Sequence, residues 1–166
     1  TRVRSSAASD VYKRQQELPR KVQNVEVLDL DGKPVKLPYF GEKNLMIFYV
    51  DPDRHKQNED FTIELEQNHR AESDNIHGFG VMNLKDAPMV PNGMARNMAK
   101  KRTAKNGATV LADQNRILST AWALGDCNNQ FVLMIVSKEG ELVFLRKGEL
   151  SDADKEAFYE TIEKYK

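Results

Sequence analysis

Two short stretches of this 166-residue chain are apolar almost without a break: Asn44 to Val50 (NLMIFYV) and Phe131 to Val136 (FVLMIV). A strand on a sheet with one wet face alternates apolar and polar residues, whereas a strand covered on both faces does not. The two runs therefore predict central strands with helices layered over them. Turn residues bound both. Asp51-Pro52-Asp53 stops the first, because proline offers no ladder donor and restricts the residue before it. Glu139-Gly140 follows the second, and Glu141 to Arg146 returns as its antiparallel partner.

The rest of the chain supplies the layers. Val25 to Leu30 alternates, and Asp31-Gly32 offers a left-handed turn that favours a hairpin, with the return strand ending near Leu37-Pro38. Gln57 to Ala71 has helical spacing, with Phe61 and Leu65 four apart. Phe79 to Leu84 reads as the next strand. Pro91-Asn92-Gly93 opens a second helix that carries Met94 and Met98 on one face, and Asn106-Gly107 stops it. A strand at Thr109 to Ala112 and a short helix at Ile117 to Ala123 follow. Ser151 caps a last helix, with Asp154 in the capping-box position. Ala157, Phe158, Ile162 and Tyr165 share the face of that helix that packs on the sheet. This order predicts a three-layer α/β/α sandwich around a mixed central sheet, with an N-terminal β-hairpin.

Residues Ser5 to Gln15 (SSAASDVYKRQ) match the translation of a transposase-type sequencing-library adapter. Residues 1–15 are therefore expected to be a foreign, disordered tail, and residues 16–166 the domain. On that reading a natural leader was lost upstream of the tail. Without the tail the chain carries 21 basic and 24 acidic residues, a mildly acidic balance. That excludes the electrostatic footprint of a nucleic-acid binder. No apolar run approaches the roughly 20 residues of a membrane span. One cysteine, Cys127, allows neither a disulfide framework nor a cysteine-based metal cluster.

The stretch VLADQNRILSTAWALGDCNNQFVLMIVSKEGELVFLRKGELS resembles the latter half of thioredoxin-like and peroxiredoxin-like proteins. There, a strand ending in Ala-Asp leads through a short helix to an apolar strand, a Lys-Glu-Gly turn and a partner strand. Within that superfamily MNLKDAPMVPNGMARNMAKK, AWAL and KEGELVFLRKGELSDAD resemble the YtfJ family of bacterial proteins. The resemblance implies a thioredoxin-like fold and a periplasmic setting.

Thiol chemistry on such a fold needs a thiolate where the first buried strand meets the next helix, because the helix N-terminus lowers the thiol pKa. That junction here is YVDPDRHKQNED, without cysteine. The position that holds a cis-proline in the family reads Asn128-Asn129-Gln130-Phe131, without proline. Both departures point to a redox-inactive binding module. Cys127 with His55 as a single-thiol sensor or nucleophile is the alternative. Asp126 beside Cys127 would raise rather than lower its pKa. Asp51, Asp53 and His55 suggest a metal loop, but an EF-hand register fails at Lys56 and Thr62, so no metal and no cofactor is expected.

Asp53, His55, Asn128 and Asn129 should meet at the carboxyl edge of the sheet, where open α/β folds bind ligands. Carboxylate, imidazole and amide groups without a strong nucleophile suit recognition of a peptide or small polar ligand, or an acid–base site on Asp53 and His55. The same groups also suit satisfaction of loop backbones. Arg96, Lys100, Lys101, Arg102 and Lys105 form a second candidate, a basic helix for an acidic partner. Trp122 reads as core. The identity of the partner and the oligomeric state are not legible.

Overall fold

The computed structural model describes residues 17–84, 92–106 and 108–166. The tail expected at residues 1–15, Pro91 at the start of the second helix and Gly107 at its end lie outside these. Among the described residues eight strands form one sheet: β1 (Arg20–Lys21), β2 (Glu26–Leu28), β3 (Pro34–Lys36), β4 (Asn44–Val50), β5 (Ile76–Asn83), β6 (Val110–Asp113), β7 (Phe131–Val136) and β8 (Glu141–Lys147). The helices are α1 (Glu59–Asn68), α2 (Asn92–Asn106), α3 (Ile117–Ala121) and α4 (Asp152–Tyr165). The sheet order is β1-β8-β7-β4-β5-β6-β2-β3. β4 runs parallel to β5 and antiparallel to β7, so the sheet is mixed and both apolar runs lie at its centre.

Strand alternation divides the core. On one face Leu45, Ile47 and Tyr49 of β4 pack with Val132, Met134 and Val136 of β7 under Leu118 of α3 and Trp122. On the other, Phe131, Leu133 and Ile135 pack against Phe61 and Leu65 of α1 and Phe158 and Ile162 of α4. α2 lies over the far end of this second face, with Ala95 buried against Leu84 and Ala112. Met46, Phe48 and Val50 of β4 are only half-buried there. The expected double coverage of β4 is thus complete on the α3 face and partial on the face shared by α1 and α2.

Several boundaries differ from the sequence expectation. The hairpin strand ends at Leu28, because the Asp29 carboxylate accepts the Asp31 and Lys33 N–H groups and closes the loop early. Only Gly32 of the Asp31-Gly32 pair takes positive φ, at 82°. β5 begins at Ile76 rather than Phe79, because Gly78 and Gly80 erase the apolar pattern while the backbone still pairs with β4. β1 is a two-residue edge strand that no periodicity announces. The capping box of Ser151 and Asp154 forms as expected.

Candidate functional site

The central strand β4 ends against Asp51, which is fully buried. One oxygen of its carboxylate accepts the Asp53 N–H at 2.9 Å and caps the short 3-10 turn Pro52–Arg54. The other accepts the Asn129 N–H at 2.8 Å. The Asp51 N–H in turn donates to the Gln130 carbonyl at 3.2 Å. One carboxylate therefore ties the loop after β4 to the loop before β7. Asn129 enters this tie with φ 56°, a left-handed conformation that asparagine tolerates. The next turn adds two more ties. Gln57 Oε1 accepts the Phe131 N–H at 2.9 Å. Asn58 donates to the Gly148 carbonyl and accepts the Leu150 N–H, both at 2.9 Å.

The two loops singled out in the sequence therefore meet, but the bonds between them are made by residues outside the candidate set or by backbone. Asp53 is half-buried and gives its N–H to Asp51. The capping carboxylate is Asp51, and α1 itself starts without a side-chain cap. His55 is exposed, its Nδ1 3.1 Å from the Pro52 carbonyl. Asn128 and Asn129 are exposed, and Asn128 donates its N–H to Asp126. The Gln130 Oε1 atom is buried beside them with no hydrogen-bond partner among the described residues.

A second polar centre lies behind this edge. Asp113, fully buried at the end of β6, accepts the Tyr49 hydroxyl at 2.9 Å. It also accepts N–H groups from Asn115, Ile117 and Leu118, which makes it the anchor of α3. Burial first, and then the charge of Asp113, push the Tyr49 phenol far above its ordinary pKa, so Tyr49 stays a donor. Gln57, Asn58, Tyr49 and Asp113 lie outside the residues that the sequence singles out, and it singles out Asp51 only as part of a metal loop. For Asp113 a signal existed in the Ala-Asp that ends a strand just before a helix.

Cys127 is 2% exposed and packs in the Leu118–Trp122 cluster, its thiol 3.7 Å from the Gly125 carbonyl. His55 instead borders a cavity on the opposite face of the sheet, with Phe48 and Val50. Trp122 is core as expected, and its indole N–H donates to the Gln23 carbonyl at 2.7 Å. On α2, Lys100 pairs with Asp31 of the hairpin, and the Arg96 guanidinium sits over Gly32. Part of the basic cluster thus fastens α2 to the hairpin. The side chains of Arg102 and Lys105 lie outside the described set. Among the described residues no group of three or more His, Cys, Asp or Glu is placed to hold a metal ion. No helix among them is long and apolar enough to cross a membrane.

The chain superposes on solved structures over most of its length. The pneumococcal exposed lipoprotein thioredoxin from Streptococcus pneumoniae superposes with TM-score 0.62 at 19% identity, over 86% of this chain and 99% of that one. The fold is thioredoxin-like. A DsbF homologue from Corynebacterium diphtheriae matches with TM-score 0.61 at 12% identity, over 87% of each chain. The thioredoxin domain of a thiol-disulfide oxidoreductase from Bacteroides vulgatus gives 0.55 at 14%, over 88% of this chain and 95% of that one. No protein-family model matches, and no curated protein matches in sequence. On this thioredoxin-like frame the strand-to-helix junction of the sequence holds Asp51 to His55, and the chain's one cysteine lies in the loop before β7.

Proposed function

We propose that this protein is a redox-inactive thioredoxin-like binding module of the bacterial envelope, of the YtfJ type. It recognises a peptide or small polar ligand at the edge where the loops after β4 and before β7 meet. The observation that carries this reading is Asp51. A buried carboxylate stands at the strand-to-helix junction and joins the two loops by hydrogen bonds. A carboxylate in that place gives a rigid edge and no nucleophilic thiolate. Outward from the tie, Asp53, His55, Asn128 and Asn129 offer acceptors and donors to solvent, and the orphaned Gln130 Oε1 lies beside them. A buried acceptor without a partner costs about 1–3 kcal/mol, which a ligand donor would offset. The periplasmic setting rests on the sequence resemblance, and the acidic balance of residues 16–166 argues for a partner other than nucleic acid.

Amide chemical-shift mapping against a panel of peptides and polar metabolites tests the site. Perturbations centred on residues 53–55 and 128–130 are expected. Perturbations confined to Arg96–Lys105 would move the site to the basic helix.

A further inference from the structure

The turn between β3 and β4 is held closed in an unfavourable backbone conformation. Tyr39 has φ 56°, in the left-handed region where a bulky side chain is an outlier. Such an outlier persists only where its surroundings hold it, and outliers of this kind cluster in segments that switch. The Tyr39 carbonyl accepts the Glu42 and Lys43 N–H groups at 2.9 and 3.0 Å, so residues 39–43 form one tight strap. Phe40 fastens the strap to the core, its ring 6.4 Å from that of Trp122. The strap lies at the start of β4, the end opposite Asp51.

The contact that closes the strap is with His77 on β5. The Tyr39 ring meets the imidazole edge to face with centroids 4.8 Å apart, and Phe79 stacks on the imidazole at 5.8 Å. The Nε2 atom of His77 is buried with no hydrogen-bond partner among the described residues. A neutral imidazole leaves one bond unmade there, whereas an imidazolium would bury a charged donor without an acceptor. The surroundings add no compensation. Lys43 of the strap stands over the Tyr39 ring at 4.8 Å, and its charge opposes a second cation. Leu45, the partner of His77 on β4, and Phe79 on its own strand are apolar. The carboxylates of the adjoining turns, Glu42 and Asp74, are exposed, and neither stabilises the charged ring. Burial first, and then the charge of Lys43, hold the His77 imidazole below its ordinary pKa.

We infer that residues 39–43 are an acid-released strap, closed over neutral His77 and opened when a proton on His77 sets a second cation beside Lys43. The inference does not rest on recognition at the Asp51 loops. Closure is favoured in full above the pKa of an exposed histidine, near 6.5, and is weakened as pH falls from there through the lower value of the closed form. Opening also lets Tyr39 leave its left-handed conformation. The experiment is an NMR titration of the full chain from about pH 8 to about pH 4.5, with hydrogen exchange of the Glu42 and Lys43 amides corrected for its intrinsic pH dependence. His77 should titrate below the midpoint it shows in the urea-unfolded chain, and the Tyr39 ring resonances should move with it. Protection of the two amides should fall over the same range, by about tenfold for each pH unit of that depression. His77→Phe keeps a ring under Tyr39 without a titrating group, and its amide protection should not vary with pH. Tyr39→Gly removes the cover and suits the positive φ, and in it the His77 midpoint should rise towards the unfolded one. Tyr39→Gly keeps the test decisive if His77→Phe fails to fold. A His77 midpoint at or above the unfolded one would overturn the inference, because the Tyr39 ring would then be holding the imidazolium. So would a midpoint that Tyr39→Gly leaves unchanged, or amide protection that stays constant as His77 titrates or falls equally in His77→Phe.

Discussion

Asp51 shows how much of this site depends on one side chain. Its carboxylate accepts N–H groups from both loops in a fully buried position, so its loss leaves two donors to find other partners. Asp51→Ala should lower unfolding free energy by about 1–3 kcal/mol. Asp53→Ala, two residues on, should stay within about 0.5 kcal/mol of wild type, as substitutions on half-exposed side chains without buried bonds do. Urea denaturation of the two variants checks this, and equal losses would show that Asp51 is not the tie. The sequence drew attention to this loop through its alternating Asp51, Asp53 and His55. It could not rank the two aspartates, because the bond that distinguishes them reaches a partner 78 positions along the chain.

Among the elements, α4 is the one whose entry was readable residue by residue. Ser151 accepts the Asp154 N–H at 3.1 Å, and the Asp154 carboxylate accepts the Ser151 N–H at 3.0 Å. Ser151→Ala should cost about 1 kcal/mol. The backbone bond from Ser151 holds the Asp154 carboxyl below its ordinary pKa, with its side chain and Arg146 adding to the effect. A carboxyl whose folded pKa is depressed contributes stability above its unfolded value, near 3.9, and loses it as pH falls through the folded one. Stability measured from pH 6 to pH 2.5 should therefore fall less steeply below about pH 4 for Asp154→Asn than for wild type. Parallel curves would remove the linkage. β5 is the contrasting case. Its first three residues include Gly78, and only pairing with β4 makes a strand of them.

At the scale of the whole molecule, one cysteine on a thioredoxin-like fold leads to a further expectation. An intramolecular disulfide needs two thiols, and Cys127 is buried in the core. The protein should reduce insulin disulfides no faster than dithiothreitol alone, and turnover that scales with protein at catalytic concentration would contradict this. The amino-acid sequence by itself determined the order of elements from β2 onward, the two central strands, the faces of α1 and α4 and the cap of α4. These follow from periodicity and capping between residues a few positions apart, which act whatever the rest of the chain does. It also fixed what is missing, since no folding supplies a second cysteine. Only the tertiary structure decided that Asp51 joins the loops, that Asp113 and Tyr49 pair beneath α3, and that Cys127 and His55 sit on different faces. Each of these depends on which distant residues the sheet order β7-β4-β5-β6 brings side by side, and local spacing carries no information about that pairing.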